Sequence, residues 1–340
     1  MDLLNEANIL EYLASVGELG EGPAVVQRLA GGVSNVVLRV KTEARDMVIK
    51  QALPRLNVAA EWYAKVERLH TEVECLRLLE VCLPPGSVPR VFFFDPARHV
   101  YAMSTVPERF GMWKAHLLNG RIDPDAVRAA AAALARIHTW TAERAEVRER
   151  FGDLEAFRQL RVDPYYCTVQ ERHPEVAEAI GRVASWVGRE CHCLVHGDYS
   201  PKNIMVAGGE MVLLDFEVAH WGDPAFDVAF MINHLLLKAV YRRAQAPAFL
   251  QAARQFWKAY EEAVRDAGSG LTSGLEERVV GHLACVHLAR VDGKSPVEYL
   301  QSDEERDIVR AFAKDLLREP PDGVEAAVAR YGRVLPASDT

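Results

Sequence analysis

Apolar and polar positions alternate along three short stretches near the start of the chain, "VVQRLA" from Val25, "NVVLRV" from Asn35 and "DMVIKQ" from Asp46. A period of two predicts strands with one buried face, and the glycines of "GGVS" supply a turn between the first pair. The period then changes. Trp62, Val66, Leu69, Val73 and Leu76 fall on one stripe at helical spacing, which predicts a helix from Glu61 to Leu79. Strand character returns in "VPRVFFFD" and "VYAMSTV", on either side of a turn containing Pro96. Before the first strand, "NEANILEYLASVG" has helical spacing after an Asn5 cap.

Beyond Pro107 the pattern is mainly helical. It opens with "DPDAVRAAAAALARIHTW", where Asp123 is the N-cap and Pro124 the first-turn proline. A β island from about 193 to 215 interrupts the helices, and Ser295 and Glu298 later have capping-box spacing with Pro296 between them. No repeat is visible. The pattern predicts an α+β fold: a β-rich lobe with one main helix over 1–105 and a larger, mainly helical lobe over 106–340.

Composition narrows the partners. Of 340 residues, 49% are hydrophobic and 26% charged, and the net charge of −8 comes from acids and bases interspersed along the chain. No basic stripe suits a nucleic acid and no basic amphipathic segment suits a membrane surface, so a small molecule is the expected partner. The six cysteines have no disulfide-framework spacing, and the first residues are acidic where a signal peptide is basic, so a reducing cytoplasm is expected. The most apolar stretch, "DVAFMINHLLLKAV", is interrupted by Asn233 and His234 and is too short to span a bilayer.

The chemistry concentrates in "HGDYSPKN", residues 196 to 203. "NIMV" and "MVLL" flank "AGGE", a hairpin in which Val206 faces Met211 and Asn203 comes near Leu214, so Asn203 and Asp215 lie side by side. One amide oxygen and one carboxylate with open positions suit Mg²⁺, which keeps waters and takes nucleotide phosphate oxygens. Asp198, on the loop entering the hairpin, can face a substrate hydroxyl. "CHCLVH" lacks a second Cys pair and alternates along a strand, so it does not suit zinc.

His196, Asp198 and Asn203 fit the H-x-D-x-x-x-x-N loop of kinases, and Asp215 in "LLDFE" fits the position of D-F-G. With Gly197 after the histidine, and "GDPAFDVA" downstream, the chain resembles aminoglycoside phosphotransferases and their choline, fructosamine and methylthioribose kinase relatives from about 25 to 235. The resemblance implies a protein-kinase-like fold of two lobes that uses ATP or GTP with Mg²⁺. It places Gly31, Gly32, Ser34 and Asn35 in the phosphate-covering loop, and Lys50 where a lysine pairs the phosphates. The lysine's partner is a glutamate on the next helix. Glu72 lies roughly 75° from the centre of the apolar stripe and Glu74 roughly 125°, which selects Glu72.

The resemblance also implies that His196 and Asp227 support the catalytic loop. It places the backbone of Ser104 and Val106, after Met103, against adenine. Glu217 stands where D-F-G has glycine, similar to the D-x-E of methylthioribose kinases, with a solvated glutamate as the alternative. Arg161, Tyr165, Arg290 and Lys294 fall where such kinases build the acceptor site, and suit an anionic or polyhydroxyl molecule. The expected activity is transfer of a γ-phosphoryl group to a hydroxyl of a sugar, amino alcohol or antibiotic, with Asp198 as base. The alternative is an inactive, nucleotide-binding pseudokinase with a regulatory role.

Overall fold

The alternating stretches fold as strands β1 (Val25–Arg28), β2 (Asn35–Lys41) and β3 (Asp46–Ala52). With β4 (Val91–Asp95) and β5 (Val100–Ser104) they form an antiparallel sheet of order β1-β2-β3-β5-β4. The computed structural model describes residues 3–29, 34–55 and 63–335. Its chain divides into two compact units. The first runs up to Glu108 and includes Leu214–Val218; the second holds Arg109–Leu213 and the chain from Ala219 onward.

Strand alternation sorts the first unit into two faces. Val36, Leu38, Val40, Met47, Ile49, Val100 and Ala102 point to one face and pack with Ile9, Tyr12 and Leu13 of α1 (Ile9–Ser15). Lys50 and Tyr101, which are register partners on β3 and β5, point to the other. The helix α1 starts at Ile9, after a turn in which the Asn5 side chain accepts from the Ala7 N–H at 2.9 Å and the Asn5 carbonyl from the Ile9 N–H at 3.1 Å.

The second helix, α2 (Arg68–Cys82), begins later than the apolar stripe predicts: Val66 precedes it, and Trp62 lies outside the described residues. The cause is Arg68. Its guanidinium donates to the carbonyls of Ala64 at 3.3 Å and Lys65 at 2.7 Å, acceptors that a helix running through this segment would use internally.

The second unit contains β6 (Gly111–Met112) and the helices α3 (Trp113–Leu118), α4 (Pro124–Thr141), α5 (Ala145–Arg150) and α6 (Glu155–Phe157). A π-helical stretch, Arg158–Cys167, leads to α7 (Thr168–Arg172) and α8 (Ala177–Ala184). After the short strands β7 (Cys193–Val195), β8 (Ile204–Ala207), β9 (Glu210–Leu213) and β10 (His220–Gly222) come α9 (Pro224–Tyr241) and α10 (Ala246–Asp266). The unit ends with α11 (Leu275–Asp292), α12 (Asp303–Arg318) and α13 (Val324–Val334). The Asp123 side chain caps α4, accepting from the Asp125 N–H at 2.9 Å.

Helix α9 explains the most apolar stretch of the sequence. Every residue from Pro224 to Val240 is buried, because α10, α11 and α12 pack around it. Among the described residues, no helix is long and apolar enough to cross a membrane.

The hairpin pairs Val206 with Met211 and Ile204 with Leu213, closed by Gly208 and Gly209 at φ 54° and 82°, which a tight two-residue turn requires. The predicted capping box at Ser295 does not form. Arg290 at the end of α11 draws this segment back, with Nη1 donating to the Ser295 carbonyl at 2.5 Å and the Val297 N–H donating to the Arg290 carbonyl at 2.8 Å. The capping box sits at Ser302 instead, where Oγ accepts from the Glu305 N–H at 3.2 Å and Glu305 Oε2 from the Ser302 N–H at 3.1 Å.

Candidate active site

In the first unit Lys50 is the centre of a buried ionic cluster. Its Nζ lies 2.8 Å from both Glu72 carboxylate oxygens and 2.6 Å from Asp215 Oδ1. Burial alone would lower the Lys50 pKa, but Asp215 and Glu72 outweigh it and hold the ammonium well above its usual value. Glu74 faces the other way and pairs with Arg77. Asp215 has a φ of 67°, a left-handed conformation that aspartate tolerates better than most residues, and its bond to Lys50 fixes the carboxylate there.

Glu217 is buried rather than solvated. It accepts from Asn35 Nδ2 at 2.9 Å and from Arg68 Nε at 3.1 Å. Arg68 Nη2 also donates to the Ser34 carbonyl at 2.5 Å and the Leu53 carbonyl at 3.0 Å, and Asn35 Nδ2 donates to Ser34 Oγ at 2.9 Å. Ser34, Asn35, Arg68 and Glu217 thus form one network that ties the start of β2 to the segment after Asp215. Gly31 and Gly32 lie outside the described residues. Of the two adenine candidates, Ser104 gives its N–H to the Arg90 carbonyl at 2.8 Å, while the Val106 backbone has no hydrogen-bond partner among the described residues.

In the second unit β7 delivers His196 and the loop after it. Asp227, in the first turn of α9 and fully buried, accepts from the His196 N–H at 2.7 Å and the Gly197 N–H at 2.9 Å. Gly197 has a φ of 75°, which its lack of a Cβ allows. His138 stands behind this clamp, with Nε2 3.4 Å from Asp227 and Nδ1 2.8 Å from the Tyr260 hydroxyl. His196 Nδ1 accepts from the Asp198 N–H at 3.2 Å.

Three donors converge on Asp198 Oδ2: Arg161 Nη2 at 2.9 Å, Lys202 Nζ at 2.7 Å and Asn203 Nδ2 at 2.9 Å. Asn203 Nδ2 also donates to the Asp198 carbonyl at 3.0 Å. With its amide nitrogen committed in this way, Asn203 presents a carbonyl oxygen, the kind of donor that a hard cation takes.

A model described as the phosphotransferase enzyme family matches residues 25–267. The chain belongs to this family. A methylthioribose kinase of Citrobacter koseri is 25% identical over 67% of this chain, and the match spans 64% of that relative's own length, just under two thirds. Among solved structures, a choline/ethanolamine kinase family protein of Mesorhizobium loti covers 96% of this chain and 98% of its own at 18% identity, with a TM-score of 0.55. The amicoumacin kinase hAmiN, in complex with AMP-PNP, Ca²⁺ and Ami, covers 87% of this chain and 89% of its own at 13% identity and the same TM-score, 0.55. The fold is α+β and protein-kinase-like.

The acceptor residues suggested by the sequence separate within this family member. Arg161 bonds the loop after β7: its Nη2 meets Asp198, and its Nε donates to the Gly197 carbonyl at 2.8 Å. The π-helical stretch that carries it contains Pro164, which has no N–H to donate. Tyr165 is buried, stacks on Phe230 with centroids 6.0 Å apart, and accepts from Arg290 Nη1 at 2.9 Å. Lys294 has an exposed side chain, and its N–H donates to the Pro164 carbonyl at 3.2 Å. Two residues of the site carried little sequence signal. Lys202 stands inside the quoted loop, four residues after Asp198, whereas Arg68 is marked only as a charge beside a stripe position.

Proposed function

We propose that the protein is an O-phosphotransferase that moves the γ-phosphoryl group of ATP or GTP to a hydroxyl of a small molecule. The observation that carries the reading is the state of Asp198. It is buried, on a loop whose backbone is clamped by Asp227, with Arg161, Lys202 and Asn203 fixing its carboxylate. A carboxylate held in this way can orient an acceptor hydroxyl and take its proton as the oxygen attacks phosphorus. The new O–P bond forms as the bond to the β-phosphate oxygen breaks, and the nucleoside diphosphate leaves.

In this reading Lys50, aligned by Glu72, holds the nucleotide phosphates. Ser34 and Asn35, with Gly31 and Gly32, cover them. Asn203 and Asp215 would each offer an oxygen to Mg²⁺, which when bound would supply positive charge beside the nucleotide phosphates. His196 and Asp227 keep the catalytic loop in shape, and Val106 offers its backbone to adenine. The AMP-PNP held by the amicoumacin kinase favours ATP as the donor.

The test is nucleotide consumption by the purified protein with Mg²⁺, with ATP and GTP in turn, against sugars, amino alcohols and antibiotics, followed by product mass. The expected product is an acceptor heavier by one phosphoryl group, absent with Asp198→Ala. Normal turnover by Asp198→Ala would remove Asp198 from the role of base.

A further inference from the structure

Asp227, Phe230, His234 and Lys238 recur at three- and four-residue spacing and form one stripe of α9. At 1.5 Å per residue the stripe runs roughly 16 Å from the clamp on the catalytic loop to Lys238. Phe230 bridges the two ends. The Arg161 guanidinium lies 5.8 Å from its ring centroid and the His234 ring 5.1 Å. Arg161 and Arg290 each lie 5.8 Å from the Tyr165 ring centroid, so the guanidinium beside Asp198 is no more than about 12 Å from that of Arg290.

The far end of the stripe gathers basic groups: His234 and Lys238 of α9, Lys114 of α3 and Arg290 of α11. Burial, then Lys114 and Arg290, push the Lys238 pKa down to about 7, with Glu298 opposing. Burial, then Lys238 and Arg290, lower His234 well below its usual value. Glu298 is already paired with Lys114.

The hydrogen bonding is equally incomplete. Among the described residues, Lys238 is 1% exposed, its one hydrogen bond goes to the His234 carbonyl at 3.1 Å and its Nζ lies 5.4 Å from the Tyr299 ring centroid, while the His234 ring has no hydrogen-bond partner. Arg290 Nε and the Tyr299 hydroxyl are buried without a partner among the described residues. Buried donors left unmet among basic groups whose one acid, Glu298, is paired with Lys114 reduce stability, and a bound anion would offset that cost. Lys114 and Arg290 are partly exposed, whereas Lys238 and Tyr299 are buried.

We propose that this cluster is the anion-binding part of the acceptor site: the acceptor carries a carboxylate or a phosphate ester held by Lys238, His234, Arg290 and the Tyr299 hydroxyl. Its reacting hydroxyl lies toward Asp198, a placement that rests on the phosphotransferase reading. A small polyhydroxy acid or sugar phosphate fits this description, and a polycationic antibiotic does not.

The test uses the full chain with ¹³Cε-labelled lysine, read by NMR, with inorganic phosphate and acetate as probes. The Lys238 resonance is assigned by its loss in Lys238→Gln and that of Lys50 by its loss in Lys50→Met. A saturable shift of the Lys238 signal, with its titration midpoint raised, is expected. Saturation by phosphate alone identifies a phosphate ester, and equal saturation by acetate a carboxylate. Tyr299→Phe should weaken the anion about tenfold and leave the thermal midpoint unchanged, because the hydroxyl has no partner to lose. A Lys238 signal that neither probe moves overturns the anion site. A Lys50 signal that MgATP fails to move overturns the phosphotransferase reading instead.

Discussion

Asp227→Asn tests how the loop from His196 to Asn203 is held, because it changes one atom of a buried clamp. The wild-type carboxylate accepts from the His196 N–H at 2.7 Å on Oδ2 and the Gly197 N–H at 2.9 Å on Oδ1, with His138 Nε2 3.4 Å from Oδ2. An asparagine keeps its oxygen on the busier Oδ2 side, so its NH₂ meets the Gly197 N–H and two donors face each other. A buried N–H without an acceptor costs about 1–3 kcal/mol, and exchanging a charged acceptor for a neutral one at His196 about 1 kcal/mol more. The expected loss is therefore about 2–4 kcal/mol in unfolding free energy, measured by urea denaturation. Turnover should fall about 100-fold through displacement of Asp198, with nucleotide affinity little changed. Wild-type stability together with wild-type turnover would refute the clamp.

Arg161→Lys keeps a cation but cannot reach Gly197 and Asp198 together; turnover should drop at least tenfold with the acceptor KM little moved, whereas a raised KM at intact kcat would assign Arg161 to acceptor binding instead. Arg68→Ala leaves the buried Glu217 carboxylate without its guanidinium and frees the carbonyls of Ser34 and Leu53, so a loss of about 3–5 kcal/mol is expected by denaturant titration, and a loss under about 1 kcal/mol would sink the argument. Burial lowers the pKa of His287 to about 3, so the unfolded chain binds a proton that the folded chain refuses as pH falls below about 6.5. Stability should therefore decline from pH 6.5 toward pH 3 by up to about 1.4 kcal/mol per pH unit from this group, and His287→Gln should flatten that decline.

Local sequence fixed those features whose partners are near in the chain. Strand alternation set the register of β2 and β3 and put Lys50 on the face opposite the α1 core, Asp123 with Pro124 started α4, and two glycines closed the hairpin that leads from Asn203 toward Asp215. The loop "HGDYSPKN" was legible for the same reason, since Lys202 and Asn203 both bond Asp198 within five residues.

Other features depended on partners that no local pattern specifies. Arg68 meets Glu217 across 149 residues and Lys50 meets Asp215 across 165, while Arg161 reaches the Gly197 carbonyl across 36. The same cause delayed α2, where a distant ionic partner fixed Arg68 and the Arg68 side chain took the carbonyls of the preceding turn. At Ser295 the spacing of a capping box was present, but Arg290 held the segment in another conformation. The basic cluster on α9 was hidden as well, because a helix buried on every side shows no polar face from which His234 and Lys238 could stand out. Periodicity reports which face of an element is buried; the partner of a buried charge is decided only when distant elements pack, because a charge removed from water must find its counter-charge wherever the fold supplies one.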